Sequence, residues 1–219
     1  MFEHVTIEIP KLQRIDGPNG RVYATPTGEK YPSVTTVLGS KPNEALKEWR
    51  QRVGKEEARR VSSRAARNGT DFHTMCESFL NNEYEPGDNL ASQMMFSGIK
   101  PILKKCVNKV HALETPLFSH HLRTAGTVDC VAEFDGVLSV IDFKTSAREK
   151  KRSWIKAYFM QEAFYAVAFE ELTRIPIRRL VTIIGVLDGQ PQLFIEDRNS
   201  HIHDFIELRE EFDLLRSNP

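Results

Sequence analysis

The sequence predicts an α/β (α+β) fold, with a central mixed β-sheet flanked by helices. Three observations carry this. Two β-rich runs between residues 124 and 146 meet at Asp135-Gly136, the strongest short-range hairpin signal, because both central residues of a type I′ turn need φ > 0. A second pair of runs, Arg178 to Leu187 and Gln192 to Glu196, is joined through Asp188-Gly189 and extends the sheet. Stretches of helical period surround them, from 43 to 110, from 154 to 172 and from 199 to 215.

The 219 residues, 40% of them hydrophobic, suffice for one full core, and a single domain over 1–219 is expected. Lys and Arg total 30 and Asp and Glu total 30, so no global field announces a polyanionic partner, and any nucleic-acid surface must come from local clustering. Cys76, Cys106 and Cys130 are odd in number and far apart, which argues against a disulfide scaffold or a four-cysteine zinc site. Met1-Phe2-Glu3-His4 has neither a secretory nor a transit character, and no apolar run of about 18 residues follows. A soluble, cytoplasmic monomer with no membrane partner is the resulting expectation.

Taken in order, residues 5 to 38 are β-rich, with strands at Val5–Ile9 and Arg21–Thr25 and a turn at Pro26–Lys30. Ser33 and Thr35 stand at a helix start, where hydroxyls cap the helix or hold a phosphate. The segment at about 43–68 is helical and basic. Its Arg60, Arg64 and Arg67 form one stripe, read either as a solvated face paired with nearby Glu or as a phosphate-tracking surface, with Trp49 in the core. Thr70 then caps a new helix running to about Asn81, on which His73 and Glu77 share a face. Residues 88 to 110 form a helix or two, broken or kinked at Pro101, with Leu90, Met94, Phe96, Ile99, Ile102, Leu103 and Val107 as the apolar face. Pro116–Leu122 is a strand in which His120 and His121 point to opposite faces.

The central hairpin follows. With Asp135 and Gly136 as the loop, Phe134 pairs with Val137, and counting back sets Asp129 opposite Asp142 and Lys144 opposite Thr127. Directly opposed Cβ atoms are roughly 4.5–5.5 Å apart, and like charges there are destabilising. The other face, Val128, Cys130, Ala132, Phe134, Val137, Ile141 and Phe143, is nearly all apolar, and Val131, Leu138 and Val140 cover the acidic face as well. Two carboxylates partly out of water need neutralising, which a divalent cation achieves while keeping both ionised. Thr145, Lys150 and Lys151 make a polar, basic loop at the mouth of this site. On the next helix Gln161 and Tyr165 lie at i and i+4, with Ala157, Phe164, Ala168 and Phe169 as its apolar face.

Five motifs occur in order: Pro32-Ser33-Val34-Thr35, Gly69-Thr70-x-x-His73-x-x-x-Glu77, Gly126-Thr127-Val128-Asp129, Ile141-Asp142-Phe143-Lys144-Thr145-Ser146 and Gln161-x-x-x-Tyr165. Together they resemble the RecB-like branch of the PD-(D/E)XK nucleases, and within it the mitochondrial genome maintenance exonuclease group with its viral and bacterial relatives. Val128 replaces the Pro of the full signature. The resemblance implies a restriction-endonuclease-like core and metal-dependent hydrolysis of DNA. His73, Asp129, Asp142 and the Phe143 carbonyl would hold Mg²⁺ or Mn²⁺, and Lys144 would orient a water and stabilise charge on the phosphate. It also implies that Glu77 acts through a metal-bound water and that Gln161 and Tyr165 tie DNA to the centre. The cysteine cluster of the iron–sulfur members is missing, so no iron–sulfur cluster is expected. A local basic arch on a neutral chain suits single-stranded ends or flaps, contacted by Ser33, Thr35, Arg60, Arg64, Arg67, Thr145, Lys150 and Lys151.

Overall fold

A computed structural model describes residues 1–18, 20–41 and 44–217. In chain order the elements are β1 (Gln13–Gly17), β2 (Gly20–Ala24), β3 (Lys30–Pro32), α1 (Val34–Leu38), α2 (Glu44–Val53), α3 (Lys55–Leu80), α4 (Leu90–Cys106), β4 (Val107–Ser119), β5 (Thr124–Phe134), β6 (Val137–Ser146), α5 (Lys156–Thr173), β7 (Arg179–Val186), β8 (Gln192–Asp197) and α6 (Ile202–Ser217).

The Asp135-Gly136 turn sets the register of the main sheet. Both residues have positive φ, 47° and 74°, and Phe134 pairs with Val137 across them. The sheet runs β4-β5-β6-β7-β8, antiparallel throughout except for the parallel β6–β7 pair. A parallel pair needs a crossover, and α5 supplies it. Because α5 is buried from Phe159 to Tyr165 and again at Phe169, its apolar residues occur all round rather than in one stripe. With α1 and α6 it covers one face of the sheet, burying Val131, Val140, Phe164, Phe169 and Phe205. On the other face α3 and α4 bury Phe72, Phe96, Ile99, Phe134 and Phe143. Helices on both faces of a mixed sheet built round this hairpin give the restriction-endonuclease-like fold.

A smaller antiparallel sheet, β1-β2-β3, is attached through Tyr23, which packs on Phe118 and Ala125. Its β1 was not anticipated, whereas the strand expected at Val5–Ile9 reduces to one bridge between His4 and Val110. That bridge sits where the β4–β5 register shifts, so a ladder cannot extend from it.

Other expectations are corrected. The helix expected from Thr70 is the second half of α3, which runs unbroken for 26 residues. Mid-helix Gly69 costs only about 1 kcal/mol, and burial of Phe72, Met75 and Phe79 outweighs it. Likewise α4 passes through Pro101, with Met95, Phe96, Ile99 and Leu103 as its buried face, while Leu90 and Met94 are exposed and Val107 opens β4. Trp49 is only half-buried, since α2 packs mainly on α3 and buries none of its described residues. The expected start of that basic segment at Asn43 falls outside the described residues. Neither His120 nor His121 is in a strand; both lie in the turn after β4, with His120 Nδ1 2.8 Å from the Tyr31 hydroxyl. Ala157 is exposed.

Candidate active site

Regular pairing of β5 with β6 ends at Cys130–Ile141, one pair before the aspartates. Asp129 and Asp142 are therefore next in register without forming a ladder pair, and Lys144–Thr127 is not a pair either. The strands part because the Asp129 side chain takes the place of a backbone acceptor: its Oδ2 accepts a hydrogen bond from the Phe143 N–H at 2.8 Å. In a strand the N–H and C=O of one residue point to the same edge, so the Phe143 carbonyl also looks toward Asp129. Alternation is lost here too, since Val128 packs with Val131 and Val140 rather than with Cys130.

The two aspartates consequently meet different partners. On the α3 side, His73 Nδ1 lies 3.6 Å from Asp129 Oδ2 and 3.8 Å from Glu114 Oε1. Ligand atoms of His73, Glu114 and Asp129 all lie within 4.8 Å of one another. Burial alone would lower the His73 pKa, but Asp129 and then Glu114 outweigh it, so the imidazole is held above its ordinary value. Glu114 was missed from the sequence. It sits between the pairs Leu113–Cys130 and Thr115–Val128, which sets it opposite Asp129, and its φ of 44° is one that non-glycine residues rarely adopt. Like charges facing across a ladder are destabilising, and a strained backbone adds to the cost. One imidazole and two carboxylates form a donor set that fits a divalent cation. Glu77, half-buried one turn beyond His73, has its pKa raised by burial and then by Glu114.

On the α5 side, Asp142 is 1% exposed. Its Oδ2 forms an ion pair with the Lys144 ammonium, and its Oδ1 accepts from Gln161 Nε2 at 3.2 Å. Burial pushes the Asp142 carboxyl up to about 6, partly offset by Lys144. For Lys144, burial works against the charge, but Asp142 and Asp129 outweigh it and raise its pKa, and the ammonium lies 5.1 Å over the Tyr158 ring. Tyr165 is buried where a Cβ on Gly126 would come within 2.8 Å of its hydroxyl, so only glycine fits there. A second carboxyl missed from the sequence is Glu162. It is fully buried and accepts a hydrogen bond from Thr182, itself the β7 partner of Asp142, while its Oε2 has no partner. Burial and then Asp142 hold Glu162 well above the carboxylate range.

No family model matches the chain. The human protein named mitochondrial genome maintenance exonuclease 1 is 31% identical over 176 residues, covering 73% of this chain and 50% of that protein. The chain is a relative of the mitochondrial genome maintenance exonucleases. The mouse and Xenopus tropicalis proteins of the same name are 32% identical over 133 residues and 29% identical over 178 residues. The chain spans about half the length of the human and frog relatives and 38% of the mouse protein.

The remaining residues singled out from this exonuclease relative's sequence are scattered. Ser33 is buried and caps α1, accepting from Thr36 N–H at 3.0 Å, so its hydroxyl is used structurally; Thr35 is exposed beside it. Arg64, Arg67 and Thr145 line one cleft of about 450 Å³, between α3 and the end of β6. Arg60 does not join them; it pairs with Glu57. Backbone hydrogen bonds fix Lys150 to the Gln192 side chain, and the Lys151 ammonium lies 5.3 Å over Trp154. Among the described residues no helix is long and apolar enough to cross a membrane.

Proposed function

We propose that the chain is a metal-dependent DNA exonuclease, acting as one nuclease unit on single-stranded ends or flaps. The observation that carries this reading is the union of the His73–Glu114–Asp129 donor set with the Asp142–Lys144 ion pair on the two sides of one strand seam. His73, Glu114 and Asp129, with Asp142 and the Phe143 carbonyl beside them, would hold a divalent cation, which would supply Lewis-acid activation of a phosphoryl oxygen and lower the pKa of a water. An imidazole in the set favours Mn²⁺ over Mg²⁺ relative to an all-oxygen site.

The chain's own groups divide the rest of the work. Lys144, kept protonated by Asp142, stabilises charge that develops on the phosphate and orients the attacking water. Gln161 fixes the carboxylate of Asp142, and Tyr165 packs against Gly126 beneath the strand that carries Asp129. Arg64, Arg67 and Thr145 line a cleft beside the end of β6 that offers further phosphate contacts. The relatives' name and the order of the five motifs support the same activity.

Digestion of end-labelled linear and circular DNA, single- and double-stranded, with Mg²⁺, Mn²⁺ or EDTA tests this. Cleavage of linear single strands that needs a metal and a free end is expected. Cutting of circles would replace the exonuclease reading with an endonuclease, and faster digestion of blunt duplex would overturn the strand preference.

A further inference from the structure

At the far end of α3 from His73, α2 and α3 meet in an elbow at Gly54, whose φ is 85°. The elbow encloses a concavity of about 710 Å³ lined by Lys47, Arg50, Gln51, Lys55, Arg59 and Ser62, with no carboxylate among its walls. Lys47 pairs with Glu44, but Arg50, Lys55 and Arg59 enter no ion pair among the described residues. Folding accounts for little of the elbow, because among the described residues α2 buries none and packs mainly on α3. Three cations without acidic partners, gathered beside Lys47, cost repulsion that an anionic ligand relieves.

The position of this concavity on α3 is informative. At about 100° per residue, Lys55, Arg59, Ser62 and Ala66 fall within roughly 40° of His73 around the helix, whereas Arg60, Arg64 and Arg67 lie roughly 120–180° away. The exposed Ser62 and Ala66 leave a low track between the cations and the metal-donor set. With a rise of about 1.5 Å per residue, Arg59 and Lys55 stand about 21 and 27 Å from His73 along the helix.

We infer that the elbow is a second phosphate-binding site, which grips the uncut part of a single DNA strand while its end occupies the metal-donor set. It rests on the proposed cleavage of single strands and adds where the strand is held. At the rise of about 3.4 Å per nucleotide of a stacked strand, the grip lies about six to eight nucleotides from the scissile bond.

The test is fluorescence anisotropy in EDTA with oligothymidylates of about four and about sixteen nucleotides, on the intact chain and on Arg50→Ala/Arg59→Ala. The longer strand is expected to bind the unaltered chain about tenfold tighter. The double variant should lose that advantage, and about 1.4 from the slope of log affinity against log salt, while binding the short strand as before. Circular dichroism checks that the exposed substitutions leave the fold intact. Equal affinity of both lengths for the unaltered chain, or an equal loss for both lengths in the variant, overturns the inference. Binding is read without turnover, so the two readings fail separately: length-dependent binding without cleavage would sink the nuclease reading and keep the grip, and cleavage without length dependence would do the reverse.

Discussion

At the turn end of the β5–β6 hairpin, five consecutive pairs from Phe134–Val137 to Cys130–Ile141 form a regular ladder; from Asp129 and Asp142 onward the strands are tied through the Asp129 carboxylate. The turn end obeys local rules: positive φ at Asp135 and Gly136, and apolar residues packed on both faces. The other end breaks them, with three carboxylates on adjacent strands, a strained Glu114 and a half-buried Lys144. Within one hairpin, the part that folding requires and the part that folding merely tolerates lie one residue pair apart. Charge and strain concentrated where pairing stops mark the end that function shaped.

The largest expected effect sharpens that division. Asp129→Asn keeps an oxygen for the Phe143 N–H but loses the charge, so hydrolysis should fall at least about 10³-fold and Mn²⁺ affinity should drop, with little change in melting temperature. Asp129→Ala removes the seam as well and should cost a further 1–3 kcal/mol, roughly, in urea unfolding. Near-normal turnover by Asp129→Asn would end the metal-site reading. Next, Lys144→Ala should lower kcat by about 10²–10³-fold while strand affinity stays nearly constant. A defect seen in binding alone would make Lys144 a phosphate clamp.

A pH titration of stability separates the ends differently. Glu162 faces Asp142 and Lys144 from β6, Asp129 from β5 and Thr182 from β7, and its folded pKa is raised. A raised carboxyl contributes stability that is full below its unfolded pKa and is lost as pH climbs through the folded value. Glu162→Gln should therefore match the unaltered chain near pH 4 and exceed it increasingly above, by on the order of 1 kcal/mol. Parallel melting curves across that range would refute the buried-carboxyl account. The smallest effect belongs to the turn: Gly136→Ala, at φ 74°, should cost about 1 kcal/mol and leave hydrolysis unchanged.

Legibility in the sequence follows the same boundary. Asp135-Gly136 fixed the register because turn chemistry is local, and Phe134–Val137 pairs as counted. Asp129, Asp142, Lys144 and His73 could be named, but not that the aspartates would turn to different helices, since that depends on strands parting. Glu114 was hidden by two register shifts in β4, which no local pattern announces. Counting from the Ser119–Thr124 pair would have set it opposite Asp129. The continuity of α3 was obscured by Asn68-Gly69, a local stop signal overruled by burial further along the helix. Glu162 was masked because a helix buried on every side gives no polar face against which a stray carboxyl stands out.

The hydrogen bond from Phe143 to Asp129 also makes the protein its own indicator. That amide proton is held in its hydrogen bond only while one particular side chain stays in place, so its nitrogen–proton resonance reports the state of the centre directly. A cation that draws on the same carboxylate should shift this signal before it moves resonances at Asp135-Gly136. Two cross-peaks from one hairpin would then follow ligand capture and fold integrity independently, without a label or a substrate.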